Sequence, residues 1–155
     1  MAAPPPSSRI GAVLFACNLN RVRSPMAEGL MKRMFGTRVF VDSCGLRSDP
    51  DGLADPFALA VMDEVGVDLS GHRPKSFDEL EDESFDIVVS LTPEAQHRAV
   101  EMARRQAIDI EYWPMHDPTL TLGARNGVLD AYREVRDALE ARLRARFGAV
   151  RTFGG

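Results

Sequence analysis

The 155-residue sequence has little that could staple or anchor a fold. It holds two cysteines, Cys17 and Cys44, and three histidines, His72, His97 and His116. Two cysteines make no disulfide framework, and no Cys/His spacing suits a structural zinc. No apolar run approaches the roughly 18 residues that span a bilayer, so no membrane association is expected. Basic residues are not in excess: 19 Lys and Arg against 23 Asp and Glu leave a net charge of −4. That gives no support to nucleic-acid binding, which draws on a basic surface. Residues 1–9 are rich in Ala, Pro and Ser and lack the apolar centre of a signal peptide, so a disordered lead is expected. With so few thiols, a reducing, cytoplasmic setting is the expectation. Nothing in the sequence fixes an oligomeric state.

What is present is an ordinary globular composition, 45% hydrophobic and 27% charged, of a length that suits one core. A single domain over residues 10–148 is expected, with 149–155 as a tail. The apolar run from Ile10 to Ala16 reads as a strand covered on both faces. A helix is expected from about Pro25, with Ser24 as its cap, Pro25 at its first position, Glu28 in its first turn, and Gly36 at its end. Further strands are expected at Arg38–Ser43, Phe85–Leu91 and Ile108–Trp113. Further helices are expected from Asp55-Pro56 to Gly66, from Pro93 to Gln106 with Thr92 as cap, and from Gly127 to Phe147. Ser76 to Leu80 reads as a short helical turn. Four alternations of strand and helix predict an α/β fold, a parallel sheet with helices on both faces. In such a sheet ligands bind beyond the carboxyl ends of the strands. Cys17, Ser43, Ser90 and the Asp117 loop all follow strands and can converge there.

The stretch that the chain is organised around is Val13-Leu14-Phe15-Ala16-Cys17-Asn18-Leu19-Asn20-Arg21-Val22-Arg23-Ser24-Pro25. A lone cysteine at a strand end is most often a small buried hydrophobe. Cys17, however, enters a loop that feeds a helix N-terminus, where exposed N–H groups and the helix dipole favour anions and the thiolate form. Arg23 closes that loop, and a guanidinium fork matches two oxygens of a tetrahedral anion. A thiol in the floor of an anion site is a nucleophile placed for displacement at phosphorus.

The motif C-x5-R-S-P resembles the low-molecular-weight protein tyrosine phosphatase family, which includes related arsenate reductases. The resemblance runs from about Ile10 to Phe147. It rests on Val13 to Cys17, Asn20, Arg23 to Glu28, Ser43, Asp68-Leu69-Ser70-Gly71-His72 and Asp117-Pro118, in the family's order. It implies a flavodoxin-like three-layer fold with a four-stranded parallel sheet. It implies a phosphate-binding loop formed by Asn18, Leu19, Asn20, Arg21, Val22, Arg23 and Ser24 around Cys17, and a cysteinyl-phosphate intermediate. Asp117 would be the general acid that protonates the departing oxygen and then activates water, a chemistry that a carboxylic acid on a neighbouring loop can supply. His116 is a competing acid, ranked lower because the motif falls on Asp117. Asn20, Ser24, Ser43 and His72 would support the loop through hydrogen bonds. The expected activity is metal-independent hydrolysis of a phosphorylated protein, of the phosphotyrosine type, or of a small phosphoester. It uses no cofactor and no metal.

Several positions depart from the family. Leu19 stands where a glycine is usual, and leucine is strained if that position needs a positive φ. Val22 stands before the arginine where eukaryotic members of the family often have a second cysteine. Arg21 replaces an apolar lip residue, which should make the rim favour acidic substrates. Thr119-Leu120 follow Asp117-Pro118 where well-known members have tyrosines, and Arg47 to Gly52 contains no aromatic residue. Two other functions compete: an arsenate reductase that uses an external thiol, and a phosphate-binding regulatory module without catalysis.

Overall fold

The computed structural model of the chain describes residues 10–49, 51–82 and 84–148; the expected lead at 1–9 and tail at 149–155 lie outside the described residues. Four strands, β1 (Ala12–Ala16), β2 (Phe40–Cys44), β3 (Ile87–Ser90) and β4 (Asp109–Tyr112), form one parallel sheet in the order β2-β1-β3-β4. Four helices, α1 (Arg23–Phe35), α2 (Pro56–Asp63), α3 (Pro93–Ala103) and α4 (Arg125–Phe147), connect and cover it. This is the expected α/β, flavodoxin-like arrangement.

The period of two in the strands divides the core. Val13 and Phe15 of β1 join Met26, Leu30, Val61, Leu139 and Phe147 beneath α1, α2 and α4. Leu14 and Ala16 point the other way and meet Val88, Ala95, Ala99 and Phe77 beneath α3. Both central strands, β1 and β3, are buried on both faces. That explains why their sequences read as continuous apolar runs and not as alternation.

Three local expectations change. Ser24 is not the cap of α1: the N-cap residue is Val22, with no side-chain hydrogen bond, and the helix begins at Arg23. Pro25 is therefore the third helical residue, and the first turn contains no acidic residue, Glu28 included. Elsewhere the expected cap Thr92 holds, and Asp55, at the expected start of its helix, is a cap as well. Asp55 accepts from the N–H groups of Phe57 and Ala58 at 2.8 and 3.3 Å, and Thr92 accepts from Ala95 at 3.1 Å. The contrast has consequence, because the uncapped end of α1 is the end that faces the site. The third change concerns β2, which spans Phe40–Cys44 and so carries Cys44 inside the strand.

The strand order switches sides at β1, with β2 on one side of it and β3 and β4 on the other. The crevice beyond the carboxyl end of β1 is the position where such sheets bind ligands, and Cys17 is the first residue after β1.

Candidate active site

A pocket of about 260 Å³ opens at the carboxyl edge of the sheet, lined by Cys17, Asn18, Leu19, Arg21, Val22, Arg23, Arg47, Asp55, Asp117 and Thr119. Cys17 lies at its base, 2% exposed, its N–H bonded to the Cys44 carbonyl at 3.1 Å. Among the described residues, the N–H groups from Asn18 to Ser24 have no hydrogen-bond acceptor within the protein. A run of unpaired N–H groups that ends in a helix N-terminus is an anion nest. Arg23 opens α1 and brings its guanidinium to the same place. Its Nη1 donates to the Met115 carbonyl at 3.1 Å, and its Nη2 lies 3.7 Å from Asp117 Oδ2.

The loop is held from beneath by Asn20, which is fully buried. Its Nδ2 donates to Ser24 Oγ at 2.8 Å and to Ser43 Oγ at 2.9 Å, and its Oδ1 accepts from the Lys75 N–H at 3.0 Å. His72 Nε2 lies 2.8 Å from the Asn20 carbonyl, so that nitrogen carries the proton. Burial pushes the His72 imidazole below its ordinary value; the bond to Asn20 and the nearby Glu28 carboxylate oppose the shift. Ser43 in turn donates to Glu28 Oε1. Ser24 Oγ lies 2.9 Å from Cys17 Sγ. Asn20, Ser24, Ser43 and His72 thus form one connected network around the thiol.

Leu19 is unstrained. The residue with a positive φ is its neighbour Asn20, at 57°, and asparagine is among the side chains that tolerate this region best. Leu19 is 43% exposed on the rim. The glycine that the loop requires lies elsewhere in the chain. A Cβ at Gly45 would come within 2.7 Å of the Asn18 carbonyl oxygen and 2.9 Å of the Asn20 nitrogen.

Asp117 holds its place through its own turn. Its Oδ1 accepts from the Thr119 N–H at 3.0 Å and the Thr119 hydroxyl at 2.7 Å, which leaves Oδ2 toward Arg23 and the pocket. His116 is exposed and does not line the pocket. The two thiols belong to different core clusters. Cys17 belongs to the core beneath α1, whereas Cys44 belongs to the core beneath α3. Both are free, and burial pushes the Cys44 thiol well up. Among the described residues no aromatic side chain lines the pocket, and no cluster of His, Cys, Asp and Glu suits a metal ion. Among the described residues no helix is long and apolar enough to cross a membrane.

Sequence reasoning missed four participants. Thr92, expected only as a cap, also donates to Asn18 Oδ1 at 2.7 Å. Asp55, expected only at the start of a helix, lines the pocket and accepts from the Tyr132 hydroxyl at 3.1 Å. Glu28 terminates the Ser43 bond, and Arg47 reaches the pocket from the loop after β2. Each contact spans a distance in sequence that local patterns do not encode.

The geometry agrees with the comparisons to known proteins. The family model described as low molecular weight phosphotyrosine protein phosphatase matches residues 12–152. The chain is 33% identical over 147 residues to a protein-arginine-phosphatase of Bacillus subtilis, covering 85% of this chain and 91% of that protein. It is 31% identical over 131 residues to a glutaredoxin arsenate reductase of Synechocystis, covering 84% of this chain and 92% of that protein. A solved arsenate reductase in the phosphate binding state superposes with a TM-score of 0.69 at 29% identity, over 92% of this chain and all of that one. The YwlE mutant from Bacillus subtilis does so with a TM-score of 0.72 at 28% identity, over 86% of this chain and 94% of that one. The chain belongs to the low molecular weight phosphotyrosine protein phosphatase family.

Proposed function

We propose that the protein hydrolyses phosphomonoesters through a cysteinyl-phosphate intermediate, without a metal. The observation that carries this reading is the coincidence of three features. The Cys17 thiol lies at the base of a nest of unpaired N–H groups, Arg23 forms one wall, and Asp117 stands beside Arg23. The phosphoryl oxygens take the loop N–H groups and the Arg23 fork, which stabilise charge as it develops in the displacement. The Cys17 thiolate attacks phosphorus; an S–P bond forms as the P–O bond to the leaving group breaks. Asp117 gives its proton to the departing oxygen. In the second step Asp117 takes a proton from water, the water oxygen attacks phosphorus, and the S–P bond breaks to return the thiolate and inorganic phosphate. Ser24 supplies an O–H donor to the sulfur as nucleophile and as leaving group. The chemistry needs a reduced thiol, which fits a cytoplasmic setting.

The test is hydrolysis of p-nitrophenyl phosphate in the presence of a chelator. Activity that is abolished by Cys17→Ser is expected; activity that survives this substitution sinks the mechanism.

A second reading draws on the glutaredoxin-linked relative. The same loop accommodates arsenate. Reduction of arsenic(V) to arsenic(III) would be balanced by oxidation of two thiols, Cys17 and an external one, to a mixed disulfide. Cys44 does not serve as the second thiol, because it is buried on the other side of the sheet. Arsenate reduction with glutathione and glutaredoxin, measured beside phosphate release, separates this reading from the first. Phosphate binding with neither activity would identify a regulatory module instead.

A further inference from the structure

The mouth of the pocket carries two arginines besides Arg23, Arg21 and Arg47. Arg47 lies in the loop after β2. Its N–H and that of Leu46 share the Asn18 carbonyl, at 3.3 and 2.8 Å, which ties this loop to the anion loop. The Arg47 side chain is exposed and lines the pocket. Among the described residues its guanidinium has no hydrogen-bond or ion-pair partner. Arg21 stands on the same rim. Its Nε donates to the Leu53 carbonyl at 2.9 Å, which holds the guanidinium there and leaves its two Nη groups unused.

The acidic groups nearby are already engaged. Asp55 caps α2 with Oδ1 and accepts from Tyr132 with Oδ2. Asp117 is shared between Thr119 and Arg23. Asp49, in the same loop as Arg47, turns its Oδ1 onto the Asp51 N–H at 3.0 Å. Once a phosphoryl group has taken the loop N–H groups and Arg23, the Arg21 Nη groups and the Arg47 guanidinium still hold N–H donors without an acceptor among the described residues. No ring in the pocket offers stacking in their place.

We propose that Arg47, with Arg21, forms a second anion subsite at the pocket mouth, and that the substrate carries a carboxylate close to its phosphoryl group. This rests on the phosphoryl-transfer reading above and names the substrate class of the same site. Arg47 is a specificity-determining residue: it touches the part of the ligand that does not react.

The test uses binding, so that it does not depend on turnover. Wild type, Arg47→Lys and Arg47→Met are titrated calorimetrically with 3-phosphonopropionate and with its isosteric amide, 3-phosphonopropionamide. In wild type at low salt the carboxylate is expected to bind about fivefold more tightly than the amide, the scale of a partly exposed charge pair. The ratio should shrink toward one in 0.5 M NaCl, where screening is short-ranged. Arg47→Lys should keep part of the preference and Arg47→Met should lose it. A wild-type ratio near one, a ratio that survives Arg47→Met, or no binding of either phosphonate overturns the subsite. Hydrolysis of p-nitrophenyl phosphate by the same wild-type sample is read separately. No hydrolysis with the ratio intact sinks the phosphatase reading alone, and hydrolysis with a ratio of one sinks the subsite alone.

Discussion

Asn20 donates to Ser24 Oγ at 2.8 Å, and this single bond sets what Ser24 does for Cys17. A hydroxyl has one proton. Because Ser24 Oγ accepts from an amide N–H, that proton is free to point at Cys17 Sγ, 2.9 Å away, or at the Cys44 carbonyl, 3.3 Å away. Asn20 is oriented by Ser43, and Ser43 gives its own proton to Glu28. Donation thus runs outward from the Asn20 amide along two arms, through Ser43 to the Glu28 carboxylate and through Ser24 toward the sulfur.

Ser24→Ala removes the donor to sulfur, and Asn20→Ala removes the group that directs it. Loss of a preorganised donor costs on the order of tenfold to a hundredfold in kcat. Both variants should show it, with KM for p-nitrophenyl phosphate changed less than kcat, because the phosphate still meets the loop N–H groups. The double variant should cost little more than Asn20→Ala alone, since the two residues act on the sulfur as a unit. Steady-state kinetics on the three proteins checks this, and fully additive losses would show that Asn20 works by another route.

Gly45 is where the anion loop and the end of β2 touch. Its Cβ position is blocked by backbone atoms of Asn18, Leu19 and Asn20, all within 2.9 Å. Gly45→Ala must displace the loop, not a flexible side chain. We expect a loss of roughly 1–3 kcal/mol in stability. A larger proportional loss in activity should accompany it, because the displaced segment carries the N–H groups of the site. Chemical denaturation and phosphate release on the same preparation test both; a fully active, fully stable variant would contradict the close approach.

The architecture and the chemical core of the site were legible from the sequence for a physical reason. Strands buried on both faces write continuous apolar runs, and the Cys17 and Arg23 pair lies within one loop whose ends are fixed by a strand and a helix. The misread features belong to two kinds. Ser24 has two uses for one hydroxyl, capping a helix and bonding the sulfur, and the structure shows only the second. The choice depends on partners such as Cys17, whose proximity only the fold creates. Leu19 was suspected of strain that resides one residue later, at Asn20, because a motif states which residues occur and not which φ each adopts. Arg47, Gly45 and Thr92 join the site from three separate loops. No local pattern distinguishes them from an ordinary surface arginine, turn glycine or helix cap.

Asp117 should matter in proportion to how poor the leaving group is. Its Oδ2 faces Arg23 while Oδ1 is held by Thr119. Asp117→Asn keeps the turn acceptor and removes the acid. With an alkyl or unactivated aryl phosphate, kcat should fall by roughly 10² to 10⁴. With p-nitrophenyl phosphate, whose phenolate departs readily, the first step should suffer much less. The slope of log kcat against leaving-group acidity should therefore steepen in the variant. An equal loss across the series would mean that Asp117 only positions Arg23.

Away from the site, an ion-pair cluster joins α2 to α4. Glu64, at the end of α2, meets Arg133 at 2.7 Å and Arg136 at 2.8 Å on α4. The hydrogen bonds from Arg133 and then Arg136 hold its carboxyl down at about 2. Between that value and the ordinary carboxylate value, the unfolded chain binds the proton and the folded chain does not. Stability must then fall as pH falls through this window and be fully present above it. Glu64 is exposed enough for solvent and salt to weaken the effect, so its size at neutral pH should be small. The direction is fixed even so. Glu64→Gln should lower Tm slightly at pH 7 in low salt, and the gap from wild type should close as pH approaches 2 or as NaCl approaches 1 M. A thermal-melt series over pH 2–7 on both proteins measures it. A gap that stays constant with pH would assign the α2–α4 contact to packing alone.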